Sequence, residues 1–249
     1  MKFSTNGLII REHHVGEADR LVTVLTRDRG LVRAFVAGAR NIKGKKQAAT
    51  QLLSYGNFYF AKGKDSYRIT EAECLDVFFG LRGNIEKITL AQYFCELCGS
   101  VVPEQDDAGA YLRIMLNCLK FLETDRMPVL QLKAVAELSL LTLAGYMPDT
   151  DGCHRCGMEE PPFYFDPVDG VLLCEEHRTS RAIAINEGVI RAIWHVTHST
   201  IDRLFSFRLQ DAGIVQLATV SEAFVLAQLE RRFTTLDFYH GLTDEIRNV

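Results

Sequence analysis

The sequence predicts an α+β chain in which an N-terminal five-stranded β-barrel precedes a mainly helical part with an inserted metal module. Three observations carry this. Roughly the first 70 residues alternate apolar and polar positions between turn formers, as half-buried strands do. From about residue 84 the apolar positions recur at i, i+3, i+4 and i+7, the period of a helix. Late in the helical part, GCHRCGMEEPPFYFDPVDGVLLCEEH interrupts that period with two Cys/His pairs.

In chain order, GLIIREH (7–13) and RLVTVLT (20–26) are β-rich runs separated by VGEAD. RDRG (27–30) is a turn ending in glycine, and LVRAFVAG (31–38) alternates like a hairpin partner. A basic connection leads to FYFAK (58–62), the turn-like GKD and SYRIT (66–70). Five strands with no long amphipathic helix between them suit a small barrel, of the OB-fold or SH3-like kind. Residues 84–102, 108–124 and 129–147 then read as helices, as do 185–199 and 211–233 beyond the Cys/His segment. The expected division is 1–80 for the barrel and 81–249 for the helical domain, with the insert at about 150–180.

Composition narrows the function classes. Apolar residues make up 47% and charged residues 24% of 249, which is ordinary globular usage. The start, MKFSTNGLIIREHH, has no apolar run of a secretory signal, and LQLKAVAELSLLTLAGYM is broken by Lys133 and Glu137 as a membrane span. Seven cysteines, an odd number at mostly apolar positions, fit a reducing compartment, so a cytoplasmic protein is expected. The net charge of −4 is unevenly spread: residues 1–80 hold 13 Lys+Arg against 8 Asp+Glu, and the rest hold 15 against 24. A basic barrel joined to an acidic remainder suggests a polyanion-binding domain attached to something else.

The Cys/His segment is spaced C-x2-C-x17-C-x2-H, from Cys153, Cys156, Cys174 and His177. Two residues between paired ligands let both reach one ion, and Gly157 suits the turn after the second cysteine. FYF and GVLLC around DPVDG form a hairpin that brings the pairs together. Three thiolates and an imidazole are a closed tetrahedral set for Zn2+. A closed set leaves no position for a reacting water, so the zinc is structural and no enzyme is expected. Neither H-E-x-x-H nor the H-x-E of zinc deaminases occurs. Cys95 and Cys98, also C-x-x-C, lie in an apolar helix and read as packing residues, and His195 and His198 read as surface or packing residues.

From 27 to 46 the chain carries seven basic residues against Asp28 alone. The stretch is not a phosphate-binding ATP loop, because counting from Gly38 puts Lys43 where the second glycine belongs. It continues the third strand of the expected barrel, on the face and loops where OB-folds hold single strands. Tyr55, Phe58, Tyr59, Phe60 and Tyr67 follow on later strands, and alternation turns about half of them into the core.

Taken in order, GLIIREHHVGEADRLVTVLTRDRGLVRAFVAGARNIKGKK, SYRITEAECLDVFFGLRGNIEKITLAQY, LLTLAGYMPDTDGCHRC and FYFDPVDGVLLCEEH resemble the bacterial recombination-mediator family RecO over nearly the whole chain. The resemblance implies an N-terminal OB-fold and a helical domain with a zinc module. It implies a non-enzymatic DNA repair and recombination protein of the bacterial cytoplasm, associated with the nucleoid. Such a protein binds single- and double-stranded DNA and anneals complementary strands. It works with RecR to replace single-strand DNA-binding protein by RecA. By position, the family's DNA-binding loop falls on Arg33, Arg40, Lys43, Lys45 and Lys46. The family's usual fourth cysteine is His177 here. For the tail of single-strand DNA-binding protein, a basic-apolar groove near Arg113, Lys120 and Lys133 is the expected dock. The competing classes are a zinc-stabilised interaction module without a DNA role and, less favoured, a zinc-dependent nucleic-acid hydrolase.

Overall fold

The computed structural model of the protein describes residues 2–39, 45–63, 66–104 and 106–247. The five expected strands are present as β1 (Lys2–Val15), β2 (Asp19–Thr26), β3 (Leu31–Val36), β4 (Tyr55–Lys62) and β5 (Tyr67–Asp76), with a short helix α1 (Lys45–Ala49) between β3 and β4. They form a closed barrel in the order β1-β2-β3-β5-β4. β3 and β5 pair in parallel and every other neighbour is antiparallel. That is the connectivity of an OB-fold.

The barrel closes because β1 can bend. Gly7 sits in register with Thr26 of β2 on one side and Gly56 of β4 on the other. A side chain at Gly7 would stand 2.8 Å from the Leu25 carbonyl oxygen, and one at Gly56 would collide with that of Glu73. Glycine at both positions lets three strands approach closely, and a bulge between Ile9 and Arg11 adds the curvature. Inside lie Ile9, Val22, Val24, Val32, Phe58 and Phe60, all buried. α1 is tied to the wall by Arg20, which is buried and donates to the Gln47 carbonyl at 3.1 Å and to Thr50 Oγ1 at 3.4 Å.

Beyond the barrel follow α2 (Phe79–Arg82), α3 (Ile85–Val101), α4 (Gly109–Glu123) and α5 (Val129–Leu143). A four-stranded sheet comes next, built from β6 (Asp149–Cys153), β7 (Phe163–Asp166), β8 (Val171–Cys174) and β9 (Ile183–Ile185). The chain continues with α6 (Glu187–His198), α7 (Asp211–Leu229) and α8 (Thr234–Arg247). α3 starts at Asn84, whose side chain accepts from the Lys87 amide at 3.0 Å, a capping contact that satisfies one orphan N–H.

By packing, the chain forms two compact units: Met1–Thr124 with Phe233–Val249, and Asp125–Arg232. In the first, α3 packs against β1, α4 and α8. α8 is anchored there by Glu96, which accepts from the Thr235 amide at 3.2 Å and its hydroxyl at 2.6 Å. α8 was not among the expected helices. Neither was α1.

In the second unit, α5 is apolar nearly all round and packs against α6 and α7. α7 is long and apolar enough to cross a membrane by length and composition, with a hydropathy of 1.5. Here it packs on α5 and buries Ile214, Leu217, Val220, Phe224 and Val225. Between the two helices Lys133 of α5 is 1% exposed. Its Nζ sits 2.7 Å from a carboxylate oxygen of Glu137, one turn on in α5, and 2.7 Å from one of Glu222 in α7. Ser221 donates to the other Glu137 oxygen at 2.6 Å. This corrects the expectation of a basic docking groove that includes Lys133: its ammonium is inside the core, neutralised by two carboxylates.

Candidate metal centre and nucleic-acid interface

β6 and the β7–β8 hairpin hold the four expected ligands. The hairpin pairs Phe163 with Cys174 and Asp166 with Val171, so its open end delivers Cys174 and then His177. At the other arm, the Gly157 amide donates to the Cys153 carbonyl at 2.7 Å and the Cys153 amide to the Met158 carbonyl at 2.8 Å. This tight turn needs Gly157, whose φ of 71° is a left-handed conformation that side chains disfavour. The His177 amide closes a matching turn on the Cys174 carbonyl at 3.1 Å.

The ligand atoms of Cys153, Cys156, Cys174 and His177 all lie within 4.8 Å of one another. Cys156 and Cys174 Sγ are 3.9 Å apart, and His177 Nδ1 is 3.2 Å from Cys174 Sγ and 3.7 Å from Cys153 Sγ. Donors at about 2.0–2.3 Å from a central ion, at tetrahedral angles, are separated by just such edges. The cluster can therefore hold a metal ion. His154 is turned away, with Nδ1 3.4 Å from Asp149.

The thiols differ in character as their surroundings dictate. Burial pushes Cys153 up, but backbone N–H groups of Cys174, Cys156 and Arg155 point at its sulfur and bring it down to about 6. Such a thiolate is available to a cation at neutral pH. In the α3–α4 core, burial raises Cys95 to about 12 and also raises Cys118, and burial together with the neighbouring Cys95 and Cys118 raises Cys98. The second C-x-x-C pair is thus packing, as its apolar helix implied. His195 and His198 make local contacts: His195 Nε2 meets the Arg203 carbonyl at 2.8 Å, and His198 stacks on Trp194 at 4.8 Å.

The far end of the hairpin is locked without metal. Asp166 has its side chain fully buried and accepts from Thr179 at 2.8 Å, from Arg181 Nε at 2.9 Å, and from the Val168 amide at 3.0 Å. Burial opposes its charge, yet these donors outweigh burial and hold its carboxyl below the usual range. A depressed carboxyl contributes stability that is present above its unfolded pKa, about 3.9, and lost as pH falls through the folded one. Asp166→Asn should therefore lower the urea midpoint at pH 7, and the gap from the parent should close progressively below about pH 4. A gap independent of pH would show that the charge is not what matters.

On the barrel, Arg33 is exposed on β3 and lines a groove of about 740 Å³ with Phe3, Leu21, Arg29, Lys62 and Tyr67. Asp28 and Glu104 also border it. Arg29 and Lys62 were not among the expected residues. They reach the groove from the β2–β3 turn and the end of β4, which long-range pairing brings together: β1 pairs Phe3, under Arg29, with Phe60 of β4, and β5 pairs Tyr67 with Ala34 of β3. Arg29, Arg33, Lys62 and Arg68 of β5 make no ion pair with a carboxylate among the described residues, whereas Lys120, Lys133, Arg178, Arg181 and Arg191 do. Of the other expected contacts, Arg40 and Lys43 lie outside the described residues. Lys45 and Lys46 fall in α1, where the side chain of Lys45 is likewise outside them. Of the aromatic residues, Phe58 and Phe60 are core, Tyr55 and Tyr67 are half-buried, and Tyr59 points outward at 44% exposed.

Comparison with known proteins agrees with this layout. Residues 1–78 match the family model described as recombination protein O N terminal, and residues 82–237 match recombination protein O C terminal. A protein of Acetivibrio thermocellus named DNA repair protein RecO is 34% identical over 242 residues, covering 96% of each chain. Proteins of the same name from Symbiobacterium thermophilum and Desulforudis audaxviator are 29% and 30% identical, with 95–97% of each chain covered.

Proposed function

The chain belongs to the recombination protein O family, and on that premise we propose that it is a non-enzymatic DNA repair protein that binds DNA and anneals complementary single strands. In this reading it acts with RecR to replace single-strand DNA-binding protein by RecA, in the bacterial cytoplasm at the nucleoid. Residues 1–80 hold the DNA, and the helices that follow dock partners. The observation that supports this best is the OB barrel whose β3–β5 side gathers Arg29, Arg33, Lys62 and Arg68 without carboxylate partners among the described residues. Two strands repel through their phosphates, and a cationic surface that holds both without reading bases lowers that barrier. Annealing is downhill once they meet, so no nucleotide hydrolysis is required.

The ion is Zn2+, favoured by three thiolates with one imidazole, and its role is structural. When bound it would fasten β6 to the hairpin. Four protein ligands fill a tetrahedral sphere, which leaves the chain's own residues no water-activating chemistry to direct.

DNA binding is tested through salt. If Arg33, Arg40, Lys43, Lys45 and Lys46 each neutralise one phosphate, together they should contribute about −3.5 to the log–log salt slope of single-strand binding. From that contribution alone a fourfold rise in salt should weaken binding about 100-fold. Changing Lys43, Lys45 and Lys46 to alanine should flatten the slope by about 2.1 and slow annealing, with melting and zinc content unchanged. The loss should be alike for every sequence tested, because phosphate contacts carry no sequence information. Filter binding of the triple variant across a salt series decides it, and a parent-like slope would remove the basic connection from the site.

A further inference from the structure

On β3 the side chains alternate: Val32, Ala34 and Val36 are buried in the barrel, and Leu31, Arg33 and Phe35 lie on the outer face. Phe35 is an aromatic ring outside the barrel core, where Phe3 and Tyr67 pack against that core instead. Its cross-strand neighbours are Leu21 on β2 and Arg68 on β5. Arg33, two residues before it on the same face, lines the cationic groove with Lys62.

Two arginines of the barrel stand over aromatic rings, at different distances from the ring centres. The Arg29 guanidinium carbon is 4.3 Å from the centre of Phe3, in direct contact, and Phe60 stacks on Phe3 at 4.8 Å. That ring is fully used. The Arg68 carbon is 5.9 Å from the centre of Phe35. A flat group stacked between two others needs about 7 Å between the outer planes, twice the optimal carbon–carbon separation of about 3.5 Å. Arg68 is a long exposed side chain, and rotation about its side-chain bonds can carry the guanidinium outward to that spacing.

We infer that a nucleobase of a single strand stacks between Phe35 and Arg68, with its flanking phosphates on Arg33 and Lys62. The inference rests on the DNA-binding reading above and makes it specific. In a duplex the base faces are covered by their neighbours and only edges face the grooves. A single strand offers its faces, and aromatic stacking accepts any base. The Phe35–Arg68 slot therefore favours single strands over duplex, while Arg33 and Lys62 serve both.

The test is an equilibrium titration of the full-length protein with fluorescein-labelled oligothymidine, and with a duplex of equal length, across a salt series. Phe35→Leu keeps the apolar cover and removes the π face. It should weaken oligothymidine binding by about 5- to 150-fold, the range for one stacked base, with duplex binding within about twofold. Its salt slope should equal that of the parent, because no charge is lost, and Phe35→Tyr should restore affinity. Arg68→Ala should weaken oligothymidine binding more than duplex binding. Arg33→Ala serves as the comparison and should flatten the slope by about 0.7 on single strands. If Phe35→Leu leaves oligothymidine affinity intact while Arg33→Ala flattens the slope, the slot is refuted and DNA binding stands. Equal losses on single strand and duplex would also refute the slot, since they would make Phe35 a support of the face. If no variant changes any affinity or slope, the DNA-binding reading fails with it.

Discussion

Purified without chelator, the protein should carry one zinc per chain, and Cys153→Ser should abolish it and lower the melting temperature of the second unit. Structural zinc in small modules is worth an apparent free energy of about 10–16 kcal/mol, against about 5–15 kcal/mol for the stability of a whole domain. The loss should be local. The tip of the β7–β8 hairpin is held independently by Asp166 and by α7, where Gln228 donates to the carbonyls of Pro167 at 3.0 Å and Val168 at 2.8 Å. Chelation should therefore unlock the ligand end, around 153–158 and 174–177, and leave the barrel's amide-exchange protection unchanged. His177→Ala should release the metal and His177→Cys should keep it, whereas His154→Ala should have no effect on zinc content. Melting unchanged by chelator, or zinc absent from the purified protein, would contradict the metal assignment.

Lys133→Met should destabilise the second unit by about 3–5 kcal/mol, because it removes the cation 2.7 Å from the buried Glu137 carboxylate. The ammonium itself stays charged: burial works against it, but Glu137 and Glu222 raise its pKa above the ordinary lysine value. Adding Glu137→Leu should recover most of the loss, since an apolar pair of similar volume carries no desolvation penalty. Ser221 would not be orphaned in that double variant, because the Ala218 carbonyl lies 3.2 Å from its hydroxyl. A double-mutant cycle by urea unfolding measures the coupling, and additive losses would rule out a charge-pair origin.

The parts of the fold that could be read in advance are those governed by local periodicity. β1 to β5 follow the alternation of apolar residues, and α3 to α7 follow the helical repeat. The ends of α3, α4 and α6 miss by a residue or two, but α5 and α7 stop four residues early, β1 starts five residues early and β5 runs six residues on. The four Cys/His positions were readable for a related reason: two-residue spacing and a hairpin are local constraints. What escaped was either short or settled at a distance. α1 is a five-residue helix held by the buried Arg20, β6 is a short strand with few apolar residues, and β9 is only three residues long. α8 follows a break at Glu230, where the backbone turns left-handed, and is separated from its partner α3 by more than 130 residues. Strand parity alone left open which aromatic residues face outward, and Phe35 went unnoticed beside the more crowded β4. The groove cations Arg29 and Lys62 come together only through pairing between strands distant in sequence, β1 with β4 and β3 with β5.

α8 also has a consequence for the order of synthesis. The unit containing the barrel is discontinuous: its last segment, from Phe233, is translated after the whole of Asp125–Arg232. Domains ordinarily fold from the N-terminus as the ribosome releases them. Here the metal-bearing unit is the first to have all its parts outside the ribosome, although it begins second. Until α8 arrives, the face of α3 that it covers, with buried Tyr93 5.6 Å from Phe233, has nothing against it. The nascent barrel unit thus waits with an open apolar seam while the unit that follows it in sequence completes its Cys/His cluster, and a ribosome stalled shortly before residue 233 would hold a finished ligand cluster and an unfinished barrel unit.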